Sequence, residues 1–202
     1  MRVGLDIQHR NKPINPGDRG SHADLNADGV IERAEFEDQV VADYMAITRS
    51  LLEARGIGVL DGFSGTYAQR NAAAGAMGCS LYLAGHVNAG GGDYGMVAHD
   101  YRAPRGGAAR TLASLLSREW RRRLGLGRVR VEEATPYGAP HQQRLFACIG
   151  RAAPPALVLE PLFIDGHAAM LTPARRVGTL TAIADGIVAA IVEAQAQGLL
   201  PK

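Results

Sequence analysis

The sequence predicts an α/β protein: a three-layer α/β/α sandwich around a mostly parallel, twisted sheet of about six strands. Two observations carry this. Short apolar runs alternate along the chain with longer segments whose apolar residues recur at steps of three and four. No internal repeat or long linker divides the chain, so residues 1–202 are expected to form one domain with a sizeable core.

Val3 to Ile7 reads as the first strand, ending at Gln8-His9, and Asn11 to Gly20, with two prolines and two glycines, as loop. From about Arg33 to Arg55 the apolar residues Phe36, Val40, Tyr44, Ile47 and Leu51 mark an amphipathic helix that Gly56 ends. Ile57 to Leu60 is a second strand, Tyr67 to Met77 a short alanine-rich helix, and Ser80 to Gly85 a third strand. Asn88 to Asp93 is expected to be a flexible loop, with another strand over Tyr94 to Tyr101. A helix from about Gly107 to Arg123 turns Leu112, Leu115, Leu116 and Trp120 inward. Arg144 to Ile149 and Ala156 to Leu159 read as apolar strands. The last helix, about Ala174 to Gln195, carries Val177, Leu180, Ala184, Ile187 and Ile191 on one face.

A net charge of +2, without aromatic residues interleaved among basic ones, argues against nucleic acid as a partner. No apolar run suggests a bilayer span, and the start "MRVGLDIQHR" has no apolar signal core. The expectation is a monomer made in the cytoplasm without a signal peptide and without membrane insertion. Cys79 and Cys148 are too few for a disulfide framework and read as buried thiols.

Among six histidines, His9 and His86 stand out because each directly follows a strand. Ligands bind at the carboxyl ends of strands in open α/β sheets, and parallel pairing of these two strands would bring both histidines to one edge. Glu37 falls on the apolar face of its helix, where a carboxylate is costly unless paired or metal-bound. Two histidines and a carboxylate make a zinc site with one position left open for water. Glu160 ends the apolar run "PPALVLE", which should raise its pKa and suit it to general acid–base work; a glutamate that merely caps a strand is the plainer reading.

These residues together resemble the zinc-dependent N-acetylmuramoyl-L-alanine amidases of the Amidase_3 type. The resemblance rests on "LDIQH" ending at His9, a helix opening at Glu37, "RNAAAG" from Arg70, "AGHVNA" around His86 and "PALVLEPLF" around Glu160. It implies zinc held by His9, Glu37 and His86, with Glu160 as the catalytic carboxylate. The implied substrate is peptidoglycan, cut between N-acetylmuramic acid and L-alanine. Arg70 and Asn88, which lie in two of the motifs, are the candidate substrate-binding residues. The chain departs from the family pattern at Arg10-Asn11, Val41, Ala84-Gly85 and Pro161-Leu162, which bears on the shape of the cleft. With no signal peptide, the implied setting is host lysis by a phage endolysin that reaches the wall after release. The arginines at 118, 121, 122, 123, 128 and 130 either touch the anionic envelope or form a solvated basic helix end. Two other functions stay open: a zinc peptidase cutting within the stem peptide, and a non-catalytic, calcium-dependent wall-binding module.

The calcium reading comes from "DLNADGVIERAE", which satisfies the full EF-hand loop pattern. Asp24, Asn26 and Asp28 would offer side-chain oxygens, Val30 its carbonyl, Glu32 an oxygen or bridging water, and Glu35 two oxygens from the wet side of the helix. Gly29 would make the sharp turn. No entering helix precedes the loop, so the expectation is a single structural calcium loop inserted in the scaffold, steadying the turn that aims Glu37. The alternative is a helix cap built on Asp28 and the acidic first turn.

Overall fold

The computed structural model describes residues 1–12, 15 and 17–202; Pro13, Ile14 and Pro16 of the expected loop lie outside them. Its sheet has six strands: β1 (Arg2–Ile7), β2 (Gly58–Leu60), β3 (Leu81–Gly85), β4 (Gly95–Asp100), β5 (Val129–Ala134) and β6 (Ala156–Glu160). Their order is β2-β1-β3-β6-β4-β5. β1 runs parallel to β2 and β3, and β3 to β6, whereas β4 is antiparallel to β6 and parallel to β5. The mostly parallel α/β sandwich expected from the sequence is the fold observed.

Six α-helices accompany the strands: α1 (Glu37–Glu53), α2 (Tyr67–Ala76), α3 (Ala108–Leu124), α4 (Pro140–Ile149), α5 (Ala168–Leu171) and α6 (Pro173–Ala196). Side chains alternate across the sheet, as strand geometry requires. Val3, Leu5, Leu81, Leu83, Leu157 and Leu159 join the core under α1, α3 and α6, while Tyr82, Ala84, Ala156 and Val158 join the one under α2 and α4. Each of these buried leucines contributes about 2 kcal/mol of apolar burial. The near-continuous apolar strands follow from this burial on both faces.

Four expectations change. Arg144–Ile149 lies in helix α4, not in a strand: Pro140 sits in its first turn, and Leu145, Cys148 and Ile149 recur at helical spacing on the buried side. The missing strand is β5, an edge strand whose sequence VRVEEA is broken by the part-buried charges Arg130 and Glu132 and the exposed Glu133. Val177, expected on the inward face of the last helix, is 73% exposed, because the buried face of α6 begins only at Thr179 and Leu180. Contrary to the sequence reading, α6 is long and apolar enough by length and composition to cross a bilayer, yet it packs on α1 and α3 with 56% of its most apolar stretch buried.

The chain leaves β1 for β2 on one side and then crosses to β3 on the other. Connections of opposite sense therefore part at the carboxyl ends of β1 and β3, the switch point where open α/β sheets bind ligands.

Candidate active site

β1 and β3 pair with Ile7 opposite Gly85, so His9 and His86 leave adjacent strands almost side by side. Their rings meet edge to face, 5.1 Å between centroids. Glu37, the first residue of α1, reaches into the gap. Its Oε1 lies 3.2 Å from His9 Nε2 and 3.0 Å from His86 Nδ1. Among the described residues this is the one group of three His, Cys, Asp or Glu side chains whose ligand atoms converge, all within 4.8 Å of one another.

The backbone fixes Glu37 tightly. Its Oε2 accepts the Ser21 N–H at 2.9 Å, and its Oε1 accepts the Val87 N–H at 3.1 Å. Its own N–H donates to the Ser21 carbonyl at 2.7 Å. Gly20, at φ +74°, lets the loop pass over the carboxylate; a Cβ there would sit 2.3 Å from Oε2. Burial alone would push the Glu37 carboxyl up, but the hydrogen bonds and charges of His86 and His9 win and hold it far below the usual carboxylate range. His9 is raised: burial works against its charged form, and the Glu37 carboxylate outweighs it.

Each histidine is also oriented from its far side. Asp18 places both carboxylate oxygens 3.1 Å from His9 Nδ1 and is itself bound by Lys12 Nζ at 2.6 Å. Burial raises Asp18, but Lys12, the Gly20 N–H and His9 bring it down to about 2. Behind His86, Cys148 Sγ lies 3.6 Å from Nε2, and the Tyr44 hydroxyl donates to the His86 carbonyl at 3.3 Å. Asp18 sits in a Pro/Gly loop with no periodic signal and was invisible to sequence reasoning. Cys148 was recognised as a buried thiol, but not as a neighbour of His86.

Glu160, at the end of β6, lines the same cleft of ≈610 Å³ as His9, Glu37 and His86. Asn88 Nδ2 donates to its Oε2 at 2.5 Å, so Asn88 positions this carboxylate. Burial first, then the charges of Glu37 and Glu132, push Glu160 up to about 8 against the opposing pull of Arg144 and Asn88. The Asn88–Asp93 segment, expected to be flexible, is tethered: Asp165 Oδ2 accepts the Gly90 and Gly91 N–H groups, each at 2.9 Å.

Arg70 lies elsewhere than expected. It is fully buried and bonded to Asp6 at 2.5 Å and to the carbonyls of Ile7, Arg10 and Gly65. Its guanidinium is spent beneath the β1–His9 turn, so it supports the site from inside the protein and is not among the residues that line the cleft. Two departures from the family motif also explain each other: α1 packs so closely on β3 that a Cβ at Gly85 would lie 2.7 Å from Val41 Cγ1.

The expected calcium ligands do not converge as found. Asp24 accepts the N–H groups of Asp28 and Gly29, and Asp28 that of Val30. Glu35, expected on the wet face, is buried and accepts N–H bonds from Leu25 at 2.6 Å, Asn26 at 3.3 Å and Glu32 at 2.8 Å. The reason is local: Arg33–Glu35 is a 3₁₀ turn that precedes α1, so the phase of that helix does not govern where Glu35 points. Of the basic cluster, Arg118 pairs with Glu193, and Arg122 and Arg123 with Glu119, while Arg130 faces the cleft.

No protein-family model and no curated protein matches the sequence. Solved structures do match. Cwp6 from Clostridium difficile superposes with a TM-score of 0.74 at 21% identity over 94% of this chain, which spans 29% of that one. The catalytic domain of CwlV, an N-acetylmuramoyl-L-alanine amidase from Bacillus (Paenibacillus) polymyxa, gives 0.65 at 18% identity, covering 95% of this chain and 98% of that one. The chain has the fold of this amidase domain. The catalytic domain of the CD27L endolysin, targeting Clostridia difficile, gives 0.66 at 12% identity, covering 96% and 97%. At these identities the likeness shows the fold; the chemistry must be argued from the cleft.

Proposed function

We propose that the protein is a peptidoglycan amidase, a zinc hydrolase that cleaves the amide between N-acetylmuramic acid and L-alanine. What supports this most is the convergence of His9, Glu37 and His86 in the cleft that Glu160 also lines, on a fold shared with the CwlV amidase domain. Two imidazoles and one carboxylate, the carboxylate charged and the imidazoles braced from behind, fit zinc and leave a position open. Bound there, zinc supplies a Lewis acid and brings the pKa of a water towards ~7.

The chain's own residues do the rest. Asp18 keeps the His9 ring turned so that Nε2 faces Glu37. Ser21 and Val87 keep the Glu37 carboxylate from rotating away. Glu160, held by Asn88, accepts a proton from the attacking water and returns it to the nitrogen of the departing L-alanine. Burial and the charges of Glu37 and Glu132 raise this carboxyl to about 8 in the metal-free protein, which makes its carboxylate a stronger base for that proton. The cleft, at ≈610 Å³, has room for a peptide branch, in keeping with a wall substrate.

The finer reading is lysis of a host wall from outside the membrane, supported by the likeness to the CD27L endolysin domain. A structural calcium at Asp24–Glu35 belongs to the same proposal. It is supported by the complete loop pattern and by Gly29 at φ +84°, and it requires Glu35 to exchange its three N–H bonds for the cation. Digestion of purified peptidoglycan tests the reaction: stem peptides released with intact L-alanine amino termini, and elemental analysis showing about one zinc per chain, are expected. Cuts within the stem peptide, or full activity in zinc-free protein, would overturn the proposal.

A further inference from the structure

The cleft has a second wall, built by β4, β5 and α4, that the metal and the base leave unused. Met96 pairs with Glu160 on one side and with Arg130 on the other, so these three residues form a row across β6, β4 and β5. Cross-strand neighbours share a face, and two strand spacings put Arg130 roughly 10 Å from the base. Its guanidinium carbon sits over the Tyr94 ring, 3.8 Å from the centroid. Stacking of this kind fixes the plane of the fork and leaves its edge free to donate.

The donors are unspent. Arg130 Nε is buried with no hydrogen-bond partner, a costly state for a charged group. Its nearest carboxylate, Glu132, is 4.0 Å away, beyond hydrogen-bonding reach, and also faces His141 at 3.8 Å. Arg144, on α4, lines the same cleft, is exposed, and forms no ion pair among the described residues. Its charge reaches Glu160, which places it on the reacting side of the wall. Elsewhere the arginines on the sheet's flanks are mostly paired, as Arg110 is with Glu133 and Arg102 with Asp100. The terminal amines of Arg130, on a side chain 35% exposed and without a hydrogen bond among the described residues, share the cleft with the free guanidinium of Arg144, and two such forks are a receptor for a planar anion, a carboxylate above all.

We propose that Arg130 and Arg144 bind a carboxylate of the substrate and so select stem peptides that carry one near the scissile bond. This rests on the amidase reading, which tells where the peptide runs. Successive Cα atoms are about 3.8 Å apart, so the α-carboxylate of a second stem residue joined through its side chain lies on the order of 7 Å beyond the scissile carbon. Two arginine side chains reaching back from the wall span the difference. Stems in which that carboxylate is amidated lose the anion and should be poor substrates.

The test compares two soluble muropeptides that differ only in that group, the free acid and the amide. Wild-type protein is expected to favour the acid roughly 10- to 100-fold in kcat/KM, carried by KM. Arg130→Gln and Arg144→Gln should each lose more on the acid than on the amide, shrinking the preference. Arg144 is exposed and unbonded, so its variant should fold normally even if Arg130→Gln does not. Equal cleavage of both muropeptides by wild-type protein, or an unchanged preference in both variants, overturns the inference. If neither muropeptide is cleaved, the amidase reading falls. Calorimetric binding of the two free dipeptides then decides the carboxylate site: tighter binding of the acid upholds it, and equal binding ends it.

Discussion

Ser21 and Glu37 hold each other at both ends: the Ser21 N–H donates to Glu37 Oε2, and the Glu37 N–H donates back to the Ser21 carbonyl. The Glu37 carboxylate and the backbone of its own helix start are thus fixed by one residue of the preceding loop. Gly20 makes the arrangement possible by passing over the carboxylate with a left-handed backbone. Gly20→Ala should therefore displace Glu37 and weaken zinc retention about 10- to 100-fold, the size of loss expected when a ligand's support is disturbed. Competition with a zinc-binding dye measures this; unchanged retention would show that the loop does not position the ligand.

Asp18 supports His9 in the same sense. Asp18→Asn keeps the shape but removes the charge facing Nδ1, and zinc affinity should fall by a similar factor of about 10 to 100. Asp18→Glu is the control. If the asparagine variant binds zinc as wild type does, Asp18 serves only its bond with Lys12.

Glu160→Gln should abolish turnover, by about 10²- to 10⁴-fold, while stabilising the metal-free protein at alkaline pH. The sign follows from linkage. A carboxyl raised from 4.5 to about 8 in the folded state binds more protons folded than unfolded between those values, so stability falls as pH rises through that window. The glutamine carries no such penalty, and at pH 9 the gain is at most about 5 kcal/mol. Thermal melts of chelated protein at pH 4 and pH 9 check this: the variant should gain at pH 9 relative to pH 4. A gain that is the same at both pH values would contradict it.

Arg70→Met separates support from substrate contact. Asp6 would be left buried without its cation, which costs roughly 3–5 kcal/mol of stability. Denaturant unfolding should show a lower midpoint. A normal midpoint with only KM raised would restore the substrate-binding role expected from the motif.

For calcium, titration into chelated protein should raise the melting temperature, and Asp24→Ala with Glu35→Ala should remove the rise. If the loop steadies the first turn of α1, zinc retention should also weaken when calcium is withdrawn. Zinc affinity indifferent to calcium would break that link.

The layer order and five of the six strands were legible because burial on both faces leaves strands almost wholly apolar and ends them abruptly, as at Gly85 and Glu160. β5 was not, because an edge strand carries Arg130, Glu132 and Glu133 in a pattern no apolar count can register. α4 was misread because the apolar run RLFACI is short, and only Pro140 and the Gln142 side chain accepting the Ala139 N–H mark its helical start. Within the site, His9, Glu37, His86 and Glu160 announce themselves by ending strands or opening a helix on its apolar side. Asp18 does not, since a loop residue's partner is set by tertiary placement alone. Arg70 was legible as a motif but its burial against Asp6 was not, because a sequence does not say on which side of a turn a cation lies.

The reversal between β6 and β4 divides the cleft along a seam. On one side lie His9, Glu37, His86 and Glu160; on the other, Gly95 to Ala134 brings β4, α3 and β5 as a unit joined to the rest of the sheet through one antiparallel pairing. Such a unit is exchangeable in principle. On the proposed amidase function, grafting a differently charged Gly95–Ala134 segment onto the half that holds His9, Glu37, His86 and Glu160 should retune which substrates are accepted while leaving the bond that is cut unchanged.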